Sequence, residues 1–206
     1  LLMLATAMIL PLSLSAANTT GHVIGQLEHT KVYSLKDSNG NSISGNGNGF
    51  FNAPTSIVHL SDGSFWVVEY GNHRIQHFSK VGTFLGKVGA VNSSLTPVSG
   101  TGNSEFTYPR FIAKDSSDNI YVTEATQIKK FSSDGTYIST IQNDLFEDLW
   151  GIAADSSNNI WVVDNDKHHV FKVDQNATVL DGIGYESAGT YFYGTADGQL
   201  RNPVDI

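Results

Sequence analysis

The chain is punctuated by short blocks in which apolar residues stand side by side instead of alternating with polar ones. Phe65-Trp66-Val67-Val68 is one, Ile120-Tyr121-Val122 a second and Ile160-Trp161-Val162-Val163 a third. A strand that is apolar at successive positions has both faces covered. Each block is preceded by a shorter apolar run ("SIVHL", "FIAKD", "GIAAD") and a turn rich in Asp, Ser, Asn and Gly, which suits a tight reversal. Each is followed by "RIQHF", "QIKKF" or "HVFKV", where the end residues of an apolar-x-x-apolar spacing point to opposite faces. A fourth run lies after Gly82, Gly135 or Ala177. The pattern predicts units of four short strands, buried on both faces.

The units are copies of one another. Aligning Phe51 with Phe106 and Phe146 brings Ile57, Ile112 and Ile152 into register, then Trp66, Tyr121 and Trp161, then Glu69, Glu124 and Asp164. The second copy is two residues shorter before its third strand. A further copy opens at "LRNPVDI", where Pro203 and Ile206 match Pro54 and Ile57. The starts at 51, 106, 146 and 200 are 55, 40 and 54 residues apart. Four-stranded sheets repeating at this period and buried on both faces stack radially, which predicts an all-β fold of β-propeller blades. The divisions are 51–105, 106–145 and 146–199, with a new blade beginning at 200. Residues 18–50 form an N-terminal segment carrying a degenerate half-blade at Lys31 to Ile43.

Pro-x-x-Ile, an aromatic-Val-x-acid block, then Asn-His-Arg-Ile-x-x-Phe and a Gly turn resemble the NHL repeat. The likeness covers Phe51 to Ile206 and is strongest in the first copy; WD-type and kelch signatures are absent. NHL propellers usually have six blades. Three and a half cannot close a ring, so the chain reads as a piece of a longer protein. The family also includes the peptidylglycine amidating lyase, whose blades "NIWVVDNDKHHVFKV" resembles. In that lyase the zinc histidines directly follow the repeat proline at the channel mouth, and the matching positions here are Thr55, Arg110, Trp150 and Val204. The resemblance therefore implies a non-catalytic binding propeller with no cofactor, and the alternative is a lyase-like or other propeller enzyme whose site depends on further blades.

Composition narrows the partners. With 12 Lys and Arg against 20 Asp and Glu, the net charge is -8, which argues against nucleic acid as the main partner. The lack of cysteine removes disulfides, thiolate metal sites and thiol nucleophiles. Residues 1–17 ("LLMLATAMILPLSLSAA") are uncharged and apolar, contain Pro11, and end at small residues. They read as part of a signal peptide and not as a membrane span, which needs about 20 apolar residues. Sequons at Asn18, Asn92 and Asn176 agree with a secreted glycoprotein.

Candidate site residues follow from loop placement. In a four-stranded blade the connection between strands two and three shares a face with the connection between blades. That face carries Tyr70, His73 and Lys167, together with the insertions "AVNSSLTPVSGTGNSEF" and "GYESAGTYFYGTADGQ". Arg110 and Trp150, just past the inter-blade connections, offer a planar cation and an aromatic platform at the channel mouth. The five are candidate contacts for a protein or small extracellular ligand. Glu69, Glu124 and Asp164 read as acceptors for their own turns, "DSSDN" and "DSSNN" as solvated reversals, and no metal site is expected. In a eukaryotic secretory host the protein should lose its leader near Ala17 and carry glycan at Asn92 or Asn176. An electrophoretic mobility unaffected by glycosidase would contradict extracellular residence.

Overall fold

A computed structural model describes residues 35–36, 42–187, 190–194 and 196–206. The leader-like segment 1–17 and the sequon at Asn18 lie outside them. Three four-stranded antiparallel sheets follow one another along the chain. A two-stranded hairpin, β1 (Leu35–Lys36) and β2 (Ser42–Ile43), precedes the first sheet, β3 (Pro54–His59), β4 (Phe65–Glu69), β5 (Arg74–Phe78) and β6 (Phe84–Val88). A second hairpin, β7 (Ala90–Val91) and β8 (Pro97–Val98), leads to β9 (Ile112–Lys114), β10 (Ile120–Glu124), β11 (Gln127–Phe131) and β12 (Tyr137–Gln142). The third sheet is β13 (Leu149–Ala154), β14 (Ile160–Asp164), β15 (His169–Val173) and β16 (Val179–Ile183), with a hairpin β17 (Tyr185–Ser187) and β18 (Thr190–Phe192) after it.

Within each sheet the strands pair in chain order, and the first strands β3, β9 and β13 lie side by side. These sheets are propeller blades. The N-terminal segment differs. Its described part is a two-stranded hairpin, standing 16 residues before Phe51 just as β7 stands 16 before Phe106.

Two cores lie between consecutive blades. Trp66, Val68 and Ile75 of blade 1 pack with Ile120, Val122 and Phe131 of blade 2. Tyr121, Ile128 and Ile141 of blade 2 pack with Ile160, Val162 and Phe171 of blade 3. Blade 2 is thus covered on both sides, and every residue of β10 is buried. Successive side chains of a strand point to opposite faces, so each side of such a strand must be apolar. The second-strand aromatic also bridges blades: the Trp66 indole N–H donates to the Ser133 carbonyl at 3.0 Å, and the Tyr121 hydroxyl meets Gln175 Oε1 at 3.1 Å.

The third strands carry buried polar residues that their polarity would have placed in water. Gln76 is buried in β5 and donates to the Phe50 carbonyl at 2.9 Å; Lys129, equally buried in β11, donates to the Gly102 and Glu105 carbonyls. Arg74 is also enclosed and holds the Asn46, Gly47 and Phe50 carbonyls, all within the approach to its own blade and not in a neighbouring one.

The repeated acid at the end of the second strand does more than serve its own turn. Glu69 accepts from the Asn52 backbone N–H at 3.0 Å, Glu124 from Thr107 at 2.5 Å and Asp164 from Glu147 at 2.8 Å. In each case the donor is the residue directly after the phenylalanine that opens the blade. Glu69 also receives Arg74 Nε at 2.6 Å and Gln76 Nε2 at 2.7 Å, with both members of the ion pair almost fully enclosed. Removing one partner of such a pair strands the other, at a cost of about 3–5 kcal/mol. Glu69→Ala should therefore lower the unfolding free energy by roughly that amount in denaturant titrations, whereas Ser117→Ala should stay within about 0.5 kcal/mol. Equal effects would show that the carboxylate does not anchor the blade.

Candidate functional site

The loop-rich face is built at the tops of the blades, where β4–β5, β10–β11 and β14–β15 connect and where the chain passes between blades. Its two sequence-marked insertions are not open loops. Each contains a short hairpin (β7–β8 or β17–β18) followed by a turn closed by Gly100 N–H to Phe106 C=O or Gly194 N–H to Leu200 C=O. The same turn precedes blade 1, from Gly45 N–H to Phe51 C=O. The insertions are therefore a repeated structural device, present before blades 1 and 2 and before the repeat that opens at Leu200. Blade 3 is entered without one.

The five candidate residues fall into three clusters. Tyr70 and His73 meet at the junction of blades 1 and 2, around Tyr108. The Tyr70 and Tyr108 rings are 4.7 Å apart, the His73 and Tyr108 rings 4.3 Å, and His73 Nδ1 accepts the Tyr108 backbone N–H at 3.1 Å. Tyr70 and Tyr108 remain 37% and 47% exposed. Burial holds the His73 imidazole below its ordinary pKa, which keeps it neutral and able to accept.

Arg110 and Trp150 meet at the junction of blades 2 and 3. Asp148 joins them: one carboxylate oxygen takes Arg110 Nη1 at 2.6 Å, the other takes the Trp150 indole N–H at 2.7 Å. The guanidinium lies 5.0 Å from the indole centroid and also donates to the Leu149 carbonyl. Arg110 and Asp148 side chains are about one-fifth exposed, at 17% and 22%. Here a planar cation, an aromatic ring and a carboxylate are preassembled and still reach solvent. The Thr55 hydroxyl donates to the Arg110 carbonyl and the Thr123 hydroxyl, on β10, donates to the Trp150 carbonyl, so each blade is tied to the start of the next.

Lys167 forms the third cluster. It pairs with Glu147 Oε2 at 2.5 Å, which raises its pKa, and lies 5.9 Å from the Tyr191 ring. Asp148, Tyr108 and Glu147 were not singled out from the sequence. Each stands one or two residues past the blade-opening phenylalanine, a position the repeat alignment does single out.

The turns on the opposite face are not simple solvated reversals. Ser61 of blade 1 gives its backbone N–H and hydroxyl to Asp118 of blade 2, and Ser116 of blade 2 does the same to Asn158 of blade 3. Asp118 and Asn158 hold left-handed backbone, with φ of 61° and 62°. Two candidate sequons are exposed: Asn92 in the β7–β8 turn, its Oδ1 accepting Ser94 and Thr96 backbone N–H, and Asn176 in the β15–β16 turn. Among the described residues no three His, Asp or Glu side chains assemble as metal ligands.

The NHL repeat family model matches residues 51–78 and 146–173, the first three strands of blades 1 and 3. The chain carries NHL repeats. Over 140 residues it is 28% identical to the protein brain tumor of Drosophila melanogaster, a match covering 66% of this chain and 13% of that one. Among solved structures, Kuenenia stuttgartiensis hydrazine synthase superposes with a TM-score of 0.53 at 13% identity, over 74% of this chain and 38% of that one. Virginiamycin B lyase from Staphylococcus aureus superposes at 0.51 and 16% identity, over 68% and 43%. The WD40 repeats of RRP9 superpose at 0.50 and 12% identity, over 63% and 38%. At these identities the fold is what is shared. The chain spans well under half the length of each of these relatives.

Within the NHL blades, Asp148 is the hinge of the solvent-reaching cluster. Asp148→Ala should cost about 1–2 kcal/mol, from one partly exposed ion pair and one hydrogen bond. It should also shift tryptophan emission as the Trp150 indole N–H loses its acceptor. Unchanged emission and stability would mean that the cluster does not hold together in solution.

Proposed function

We infer that this chain belongs to a secreted, non-catalytic NHL-repeat propeller that captures a protein or small extracellular ligand on its loop-rich face. The observation that carries the reading is the Arg110–Asp148–Trp150 cluster. It preorganises an aromatic ring and a guanidinium, the residue types that dominate interface energies, at the one described junction without a hairpin. A side chain already held in its bound geometry loses little entropy on association. The exposed Tyr70 and Tyr108 extend the apolar contact toward blade 1. The leader-like composition of residues 1–17 and the exposed sequons at Asn92 and Asn176 support residence outside the cell. The net charge of -8 weighs against nucleic acid, and none of the described helices is long and apolar enough to cross a membrane. The positions that hold zinc histidines in the resembling lyase are Thr55, Arg110, Trp150 and Val204, none of which supplies a zinc ligand of that kind.

A photo-crosslinking residue placed at Thr126, on the loop-rich face, should trap the partner in secreted medium. One placed at Ser117, on the opposite face, should not. Arg110→Ala should weaken the captured complex by about 1–3 kcal/mol and lower stability by about 1–2 kcal/mol, as Asp148→Ala does, while the protein stays folded. Equal trapping from both faces, or an Arg110→Ala protein that no longer folds, would remove the assignment.

A further inference from the structure

Two of the described corners of the loop-rich face are closed by the same unusual bond. His73 Nδ1 accepts the Tyr108 backbone N–H at 3.1 Å, and His168 Nδ1 accepts the Asn202 backbone N–H at 3.1 Å. Both histidines hold left-handed backbone (φ 49° and 53°), as do both donors (53° and 48°). A glycine follows in each case, Gly89 or Gly184, where an added Cβ would lie 2.8 or 2.9 Å from the His73 or His168 carbonyl oxygen. A hairpin then follows. The corner between blades 2 and 3 has neither histidine, glycine nor hairpin. It is closed by the Leu149 N–H on the Ala125 carbonyl.

We propose that His73 and His168 are acid-released clamps, holding the corners of the loop-rich face at neutral pH and freeing them when the imidazoles protonate. An Nδ1 that accepts a backbone N–H must carry the lone pair, so the ring is neutral with its proton on Nε2. A second proton would put N–H against N–H and abolish the bond. Loss of the bond frees the Tyr108 and Asn202 amides and removes one tie between neighbouring blades at each corner. The moving corners carry Tyr108 and lie beside Tyr193, 5.1 Å from His168, both broadly exposed. The device depends only on these corners and stands whether or not the binding reading is right.

The groups facing each ring are mostly neutral or paired. His73 is faced by the Tyr70 and Tyr108 rings, and the neighbouring Arg74 is neutralised by Glu69. Burial is what depresses its pKa. His168 is faced by Tyr193, which has the Arg201 guanidinium 5.6 Å from its centroid, while adjacent Lys167 is paired with Glu147. His73, held below the ordinary histidine value of about 6.5, stabilises the fold above that pH and loses the contribution as acid drives the folded ring toward protonation. His77, also depressed by burial, packs on Trp66 and Ser64 and takes no part in the corner bonds.

Amide hydrogen exchange on the full chain tests the clamps. Protection factors, corrected for intrinsic exchange, should fall at least ten-fold at the Tyr108 and Asn202 amides between pH 7.5 and pH 5.0. The Leu149 amide should keep its protection over the same range. His73→Asn and His168→Asn, which tolerate the left-handed backbone but cannot titrate, should show the same protection at their own corner at both pH values. Constant protection at Tyr108 and Asn202 in the unmodified protein would overturn the proposal. So would an equal loss at Leu149, which signals general loosening, or a pH dependence that survives in the asparagine variants. If a variant does not fold, comparison of the three amides in the unmodified protein decides.

Discussion

Everything in the blade hangs from a buried carboxylate at the end of its second strand. The chain enters each blade along the first strand and is held there by the acid at the end of the second. Glu69, Glu124 and Asp164 hold it by accepting the backbone N–H of Asn52, Thr107 and Glu147. A charge taken from water needs several donors to offset its desolvation. The three blades meet this need differently. Blade 1 supplies Arg74 and Gln76 from the third strand; blade 2 supplies Gln127 and Lys129. Blade 3 has His169 and Phe171 at those positions and relies on backbone N–H groups of Glu147, Asp148 and Lys167. Burial accordingly pushes the Asp164 pKa upward, against the pull of those same bonds. The acid is fixed by geometry, and its counter-charge varies from blade to blade.

Stacking of blades rests on a second tier of contacts, repeated from one blade to the next. The Trp66 indole and Tyr121 hydroxyl reach the strand 3–4 turn of the following blade, and Ser61 and Ser116 reach the left-handed Asp118 and Asn158. Each second-strand aromatic is in turn covered by its cross-strand partner: His77 stacks on Trp66 at 4.4 Å, while Lys130 and Lys172 lie 5.1 Å from the Tyr121 and Trp161 centroids. The face with short turns is thereby committed to joining blades. This leaves the other face to vary, and there the chain places its exposed aromatic residues Tyr70, Tyr108 and Tyr193.

What the sequence discloses depends on how each feature is encoded. Strand order and the inter-blade cores are legible because Phe51, Trp66 and Phe78 recur in step with Phe106, Tyr121 and Phe131, and burial on both faces leaves an unbroken apolar run. The hairpins look like insertions in the sequence because strands such as Ala90–Val91 are too short for a period to show. Gln76 and Lys129 were hidden for another reason. Polarity suggests solvent, and only the structure shows the Phe50, Gly102 and Glu105 carbonyls waiting for them inside. Arg110 and Trp150 could be chosen by residue type and loop position. Asp148, which joins them, is one more acid among 20 and is marked only by its place two residues after Phe146.

That place is where the repeat and the function part company. The matching positions Ala53, Tyr108 and Asn202 all adopt left-handed backbone, while Asp148 does not. Blades 1 and 3 have a histidine at the end of the loop after the second strand, but blade 2 shortens that loop to Ala125 and Thr126 and has none. Blade 3 is entered without the glycine and hairpin that flank the other corners. Three departures from the repeat therefore coincide at one junction, and two of them, the shortened loop and the missing hairpin, remove covering chain from it. In an array whose identical positions are spent on holding blades together, a junction freed of its clamp has side chains to spare for contact with something else. The Arg110–Asp148–Trp150 cluster fills the vacated corner with groups that bind one another and still meet solvent.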